Sequence, residues 1–195
     1  MNSSAQNDSR TLRVFLVRGL VAILWAVVFA TAIRSVTTEV TVAAGVLLVV
    51  YPLIDAVATF VDARGQQPSS RRPLLINAAS GVLAAVALGI AASIGVPAVF
   101  AVFGVWAGVT GAAQLIVVLR RRRRLGSQWP LILANGFSVI AAVVYLFVAV
   151  RVDQPRLMAV AIYAATGGVE FVATAWLVAR RRRLATRAEP VPSMP

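Results

Sequence analysis

An all-α fold, a six-helix transmembrane bundle built from three tandem helical-hairpin repeats, is predicted by three observations. Six apolar runs of about 20 residues divide the chain, and about 20 helical residues at 1.5 Å each cross a hydrocarbon core of about 30 Å. All 19 basic residues are arginine, and 16 of them fall in the first eighteen residues, between alternate runs or after the last run. A polar-plus-small pattern recurs at matching places in successive pairs of runs. The hydrophobic share of 59% and mean hydropathy of +0.83 exceed those of an ordinary soluble domain.

The first span, 14–33, follows Arg10 and Arg13 and carries Arg18-Gly19 near its start. Its Ala30-Thr31-Ala32 sequence fits a signal-peptidase site, but the internal repeat requires this helix, so it is read as uncleaved. The second span, 40–61, holds Asp55 and Pro52; a proline inside a helix removes one backbone bond and predicts a bend there. The third and fourth spans, 74–94 and 97–119, and the fifth and sixth, 131–150 and 157–179, complete the set. Pro73, Pro97, Pro130 and Pro155 are placed at or just before helix starts, where a missing N–H costs least. Trp129 and Trp176 are expected at a membrane interface, which suits an indole.

The hairpins are bounded at about 13–64, 71–124 and 129–183. The segments 1–12 and 184–195, rich in Ser, Asn, Pro and Arg, are read as disordered cytoplasmic tails. Arg10, Arg13 and Arg18, then Arg64, Arg71 and Arg72, then Arg120 to Arg124, then Arg180 to Arg183 and Arg187 all belong to one side. Only Arg34, Arg151 and Arg156 belong to the other. In short loops such a bias sets orientation, which predicts that both termini and two loops are cytoplasmic. The pI near 11.9 is thereby a topology signal, with anionic lipid headgroups as partners of the arginine clusters and no nucleic acid.

The first helix of each hairpin carries Arg18-Gly19, Ser80-Gly81 or Asn135-Gly136. The second carries Asp55-Ala56 with Thr59, Thr110-Gly111 with Gln114, or Thr166-Gly167 with Glu170. Small residues let helices approach closely in lipid. Gly19, Gly81, Gly104, Gly108, Gly111, Gly136 and Gly167 are therefore assigned to helix packing, with homo-oligomer formation through the fourth helix as the alternative use.

These repeats, with Arg18-Gly19-Leu20-Val21-Ala22-Ile23-Leu24 opening the first and Trp106-Ala107-Gly108-Val109-Thr110-Gly111-Ala112-Ala113-Gln114 in the second, resemble the HdeD-like family of bacterial acid-resistance membrane proteins over about residues 13–183. The resemblance implies a six-helix inner-membrane protein, associated in some members with acid stress. Members often carry an acid late in the second helix of a repeat, where this chain has Thr59, Gln114 and Glu170.

With no Cys and no His, thiol and imidazole chemistry and the usual transition-metal sites are excluded, and no cofactor is expected. A candidate intramembrane polar network consists of Arg18, Asp55, Asn77, Gln114, Asn135 and Glu170. Counted from the arginine-rich helix ends at about 1.5 Å per residue, Arg18 lies at roughly 6 Å, Asp55 at roughly 9 Å and Glu170 at roughly 14 Å. Arg18 and Asp55 are expected to pair, because a charge inside a bilayer needs a partner. Glu170 has no unshared cation, and an apolar interior penalises its carboxylate form, which makes it a proton-binding candidate. The absence of a nucleophile motif or phosphate loop speaks against an enzyme. Two functional classes follow: a stress-associated membrane protein without turnover, or a small proton-coupled transporter or channel using Asp55 and Glu170.

Overall fold

The computed structural model describes residues 3–33, 39–64, 68–125 and 129–188. They form six helices: α1 (Ser3–Ala32), α2 (Val42–Arg64), α3 (Pro68–Ile94), α4 (Val96–Leu125), α5 (Trp129–Arg151) and α6 (Met158–Ala188). No strand occurs among the described residues. Five helices are long and apolar enough to cross a membrane; α5, with 23 residues, has its described apolar stretch at Gly136–Arg151. At most 39% of the most apolar window of any of the five spans is buried. Leu20, Leu24, Leu83, Ile90, Ile140 and Phe147 are among the large apolar side chains turned outward. An apolar exterior of this extent is solvated by lipid chains, so the protein is a multi-pass membrane protein.

Among the described residues each helix packs on its two neighbours in sequence, and α1 packs on α6, so the helices close a ring. The extensive interfaces alternate with looser ones. α2 packs closely on α3, α4 on α5 and α6 on α1, whereas α1–α2, α3–α4 and α5–α6 touch less. The hairpins read from sequence are thus covalent units, while the tightest packing lies between successive hairpins. Backbone approach explains this. A Cβ on Gly19 would come within 2.7 Å of the Gly168 carbonyl oxygen, and one on Gly81 within 3.0 Å of the Pro52 carbonyl oxygen. On α4, Gly104 and Gly108 admit Ala142 of α5. That glycine face is occupied within the chain.

Three expectations about element ends are corrected. Residues of 1–12 were expected to form a tail, yet α1 begins at Ser3: no Gly or Pro interrupts the chain before Gly19, and extending an established helix costs little. α6 continues through its arginines to Ala188 for the same reason, since no Gly or Pro falls between Gly168 and Ala188; the rest of 184–195 lies outside the described residues. α3 starts at Pro68, so Pro73 sits inside the helix rather than at its boundary. Pro68 already supplies the fixed φ that suits a helix start. Pro97 and Pro130 are second residues of their helices. α2 runs through the fully buried Pro52. The single residue Gly95 joins α3 to α4 at a φ of 140°, a conformation that favours glycine.

The two ends of the ring differ. The core cluster draws on the later parts of α1, α3 and α5 and the earlier parts of α2, α4 and α6, away from the arginine runs. There Phe29, Leu48, Leu88, Val99, Phe100, Phe103 and Val160 are fully buried. Trp25 stacks on Phe29 at 4.7 Å and leans on Tyr51 at 4.4 Å. The Trp25 indole donates to the Leu47 carbonyl at 3.0 Å, and the Tyr145 hydroxyl donates to the Ala159 carbonyl at 2.8 Å, tying the two looser seams they span.

Candidate functional site: a polar cavity in the arginine-rich half

The half of the ring nearer the arginine clusters is hollow. A cavity of about 150 Å³ is lined by α1, α2, α4, α5 and α6, and no described residue of α3 reaches it. Its floor is built from Tyr51 of α2, Trp106 of α4 and Tyr163 of α6, one aromatic residue from the second helix of each repeat. Beneath them Leu48, Phe103 and Val160, each three residues earlier, are fully buried. The Phe103 ring meets all three floor rings, at 6.1 Å to Tyr51, 5.5 Å to Trp106 and 5.3 Å to Tyr163. Tyr51 and Trp106 meet edge to face at 5.9 Å. Such pairs contribute about 0.5–1.5 kcal/mol each beyond burial, which fixes the floor in place.

One helical turn toward the arginine end, the wall carries Asp55, Thr110 and Gly167. Arg18 of α1 donates from Nη2 to Asp55 Oδ1, and its guanidinium lies 4.9 Å from the centre of the Phe171 ring. Helical spacing explains the arrangement, since Arg18 and Trp25 lie two turns apart on one face of α1, as Asp55 and Tyr51 lie one turn apart on α2. Both ionic side chains are partly accessible, 16% for Arg18 and 26% for Asp55, so the pair faces the cavity rather than a dry core. The Thr110 hydroxyl donates to the Trp106 carbonyl at 2.7 Å, and the Thr174 hydroxyl donates to the Glu170 carbonyl at 2.8 Å. The Tyr163 hydroxyl donates to Ser138 Oγ at 3.1 Å.

Glu170 lines the same cavity, half-buried. Among the described residues its carboxylate has no ion pair and no hydrogen bond. Asn77 is half-buried on α3, where its backbone carbonyl accepts from Ser80, and it does not line the cavity. Gln114 and Asn135 lie outside the described residues as far as their side chains are concerned. Thr59 Oγ1 and Trp106 Nε1 are buried without a hydrogen-bond partner among the described residues.

The packing glycines need correction in the third repeat. A Cβ on Gly136 or Gly167 would meet nothing within 4 Å, whereas one on Gly168 would come within 2.7 Å of Ile23 and 2.8 Å of the Gly19 carbonyl oxygen. Gly111 is buried and lines the cavity. Burial gives the reason. Ala85 and Leu88 of α3 match the buried Ala142 and Tyr145 of α5, each 57 residues on. Trp106 matches Tyr163 at the same spacing, while Tyr51 precedes Trp106 by 55. The third copy is therefore shifted relative to its glycine pattern, by two residues in α5 and one in α6. Ser138, not Gly136, corresponds to Gly81, and Gly168 corresponds to Gly111.

The aromatic floor was missed by reading glycines and charges. Spacing Tyr51, Trp106 and Tyr163 against each other is the signal that finds it. Trp176 is exposed, with the Arg180 guanidinium 5.6 Å over its ring, an arrangement that suits a membrane interface. No family model matches the chain, and no curated protein or solved structure matches it.

Proposed function

We propose that the chain is a non-enzymatic multi-pass protein of the bacterial inner membrane, of the HdeD-like type and linked to acid or envelope stress, whose one-ended cavity takes up a proton on Glu170. The observation that supports it is a Glu170 carboxylate without a partner among the described residues, in a polar hollow whose other described charges, Arg18 and Asp55, neutralise each other. An ionisable group inside a membrane marks a functional position when no structural partner accounts for it. The arginine clusters at one end of the ring support cytoplasmic termini and contact with anionic headgroups.

The cavity itself favours a second reading, a small proton-coupled transporter, because solute sites in membrane bundles lie between helices near mid-depth. The filled half beyond Phe103 speaks for binding rather than passage. Purified protein in liposomes with a trapped pH-sensitive dye separates the two. Tight vesicles are expected, with proton uptake limited to the amount of protein and lost in Glu170→Gln. Sustained flux that Glu170→Gln abolishes would establish transport instead.

A further inference from the structure

We propose that the cavity is a binding site for a small organic cation of the alkylammonium or quaternary ammonium class. The inference rests on Glu170 being free to ionise, as in the proposed function, and adds the ligand that would replace its proton. Three observations converge on this chemistry. The floor presents Tyr51, Trp106 and Tyr163, one ring from each repeat, held by Phe103. Tryptophan and tyrosine faces attract cations, and sets of such rings recognise quaternary ammonium groups. Among the described residues the wall supplies one uncompensated negative charge. Arg18 is committed to Asp55 and to the Phe171 ring, which leaves Glu170 as the carboxylate without a counter-ion among the described residues.

Size fits as well. A space of about 150 Å³ is comparable to an engineered cavity, about 150 Å³, that accepts benzene. It admits a tetramethylammonium-sized ion and excludes large amphiphiles. An anion would meet the ionised Glu170, and a neutral solute would leave that charge buried and unmatched. The α5–α6 seam is the sparsest of the ring. Phe137 stands there half-exposed, stacked on Tyr163 at 6.3 Å beside the floor.

Proton and cation compete for one carboxylate. The titratable groups that share the cavity with Glu170 are Arg18 from α1, Tyr51 and Asp55 from α2, and Tyr163 from α6; the described lining of α4 and α5 adds none. Binding of a permanently charged ion therefore weakens as acid protonates Glu170, and binding releases a proton at pH values where Glu170 is protonated.

The test is calorimetric titration of the detergent-purified full chain, with tryptophan fluorescence as a second readout because Trp25 and Trp106 line the cavity. The probes are tetramethylammonium, tert-butanol as a neutral solute of similar shape, and pivalate as an anionic one. Saturable binding of tetramethylammonium alone is expected, weakened about tenfold or more by Glu170→Gln. Tyr163→Leu, which keeps the carboxylate, should weaken it several-fold. Equal binding of tert-butanol or pivalate, no binding of tetramethylammonium by folded protein, or unchanged affinity in both variants would overturn the site. Proton uptake by Glu170 in liposomes would survive any of those results, so the two proposals fail separately.

Discussion

Two carboxylates sit in one cavity and differ only in company. Asp55 has a guanidinium within bonding distance and Glu170 has none among the described residues. Neutralising Asp55 strands Arg18 in the hollow, whereas neutralising Glu170 strands nothing. Asp55→Asn is expected to lower the stability of the detergent-purified protein by about 1–3 kcal/mol, an intermediate value because the pair is partly accessible. Glu170→Gln should leave stability within about 0.5 kcal/mol. Thermal melts and yields of membrane-integrated protein check this; equal losses in both variants would dissolve the distinction. This pairing was legible in the sequence because two opposite charges at similar depth had few other ways to avoid lipid. The floor was not legible, since Tyr51, Trp106 and Tyr163 look like ordinary interior or interfacial aromatics until their spacing around the ring is known.

Among the helices, the contact between α1 and α6 depends on two glycines pressed together. Gly168→Ala puts a methyl group within 3 Å of Ile23 and of the Gly19 backbone, and is expected to destabilise by about 1–3 kcal/mol through overpacking. Gly167→Ala, one position away with open space beside it, should be neutral or stabilise by up to about 1 kcal/mol, from helix propensity. Comparing the two melting temperatures tests the register; reversed effects would restore the glycine alignment of the third repeat. That alignment misled because Gly, Ala and Val occupy most positions of these helices, and a one- or two-residue slip exchanges small residues for small residues. Large buried side chains such as Tyr145 and Leu88 discriminate better, but which large residues face inward is not visible in helices that are apolar all round. The early start of α1 was likewise hidden, because composition pointed to a tail where the lack of any breaker favoured helix.

For the whole molecule, the six helices were legible, five of them long and apolar enough to cross a membrane, because lipid imposes hydrophobic length. The closed ring was not, since hairpin repeats arranged in an open row would carry the same pattern. A reporter active only in the cytoplasm, fused at the C-terminus, is expected to give signal, and a periplasmic reporter at the same site to stay silent. The opposite result would reverse the orientation and place the cavity on the other face of the membrane.

The junction of α1 with α6 also bears on how the protein is made. During synthesis the first helix enters the bilayer long before the sixth, and its Gly19 surface has no mate until the sixth is made. Arg18 can find Asp55 as soon as the second helix arrives, so the early intermediate already has its charges matched while one groove stays open to lipid. Closure of the circle therefore waits for the sixth helix, and a ribosome that stalls before it leaves behind a membrane-inserted arc with a bare seam that quality-control proteases can recognise.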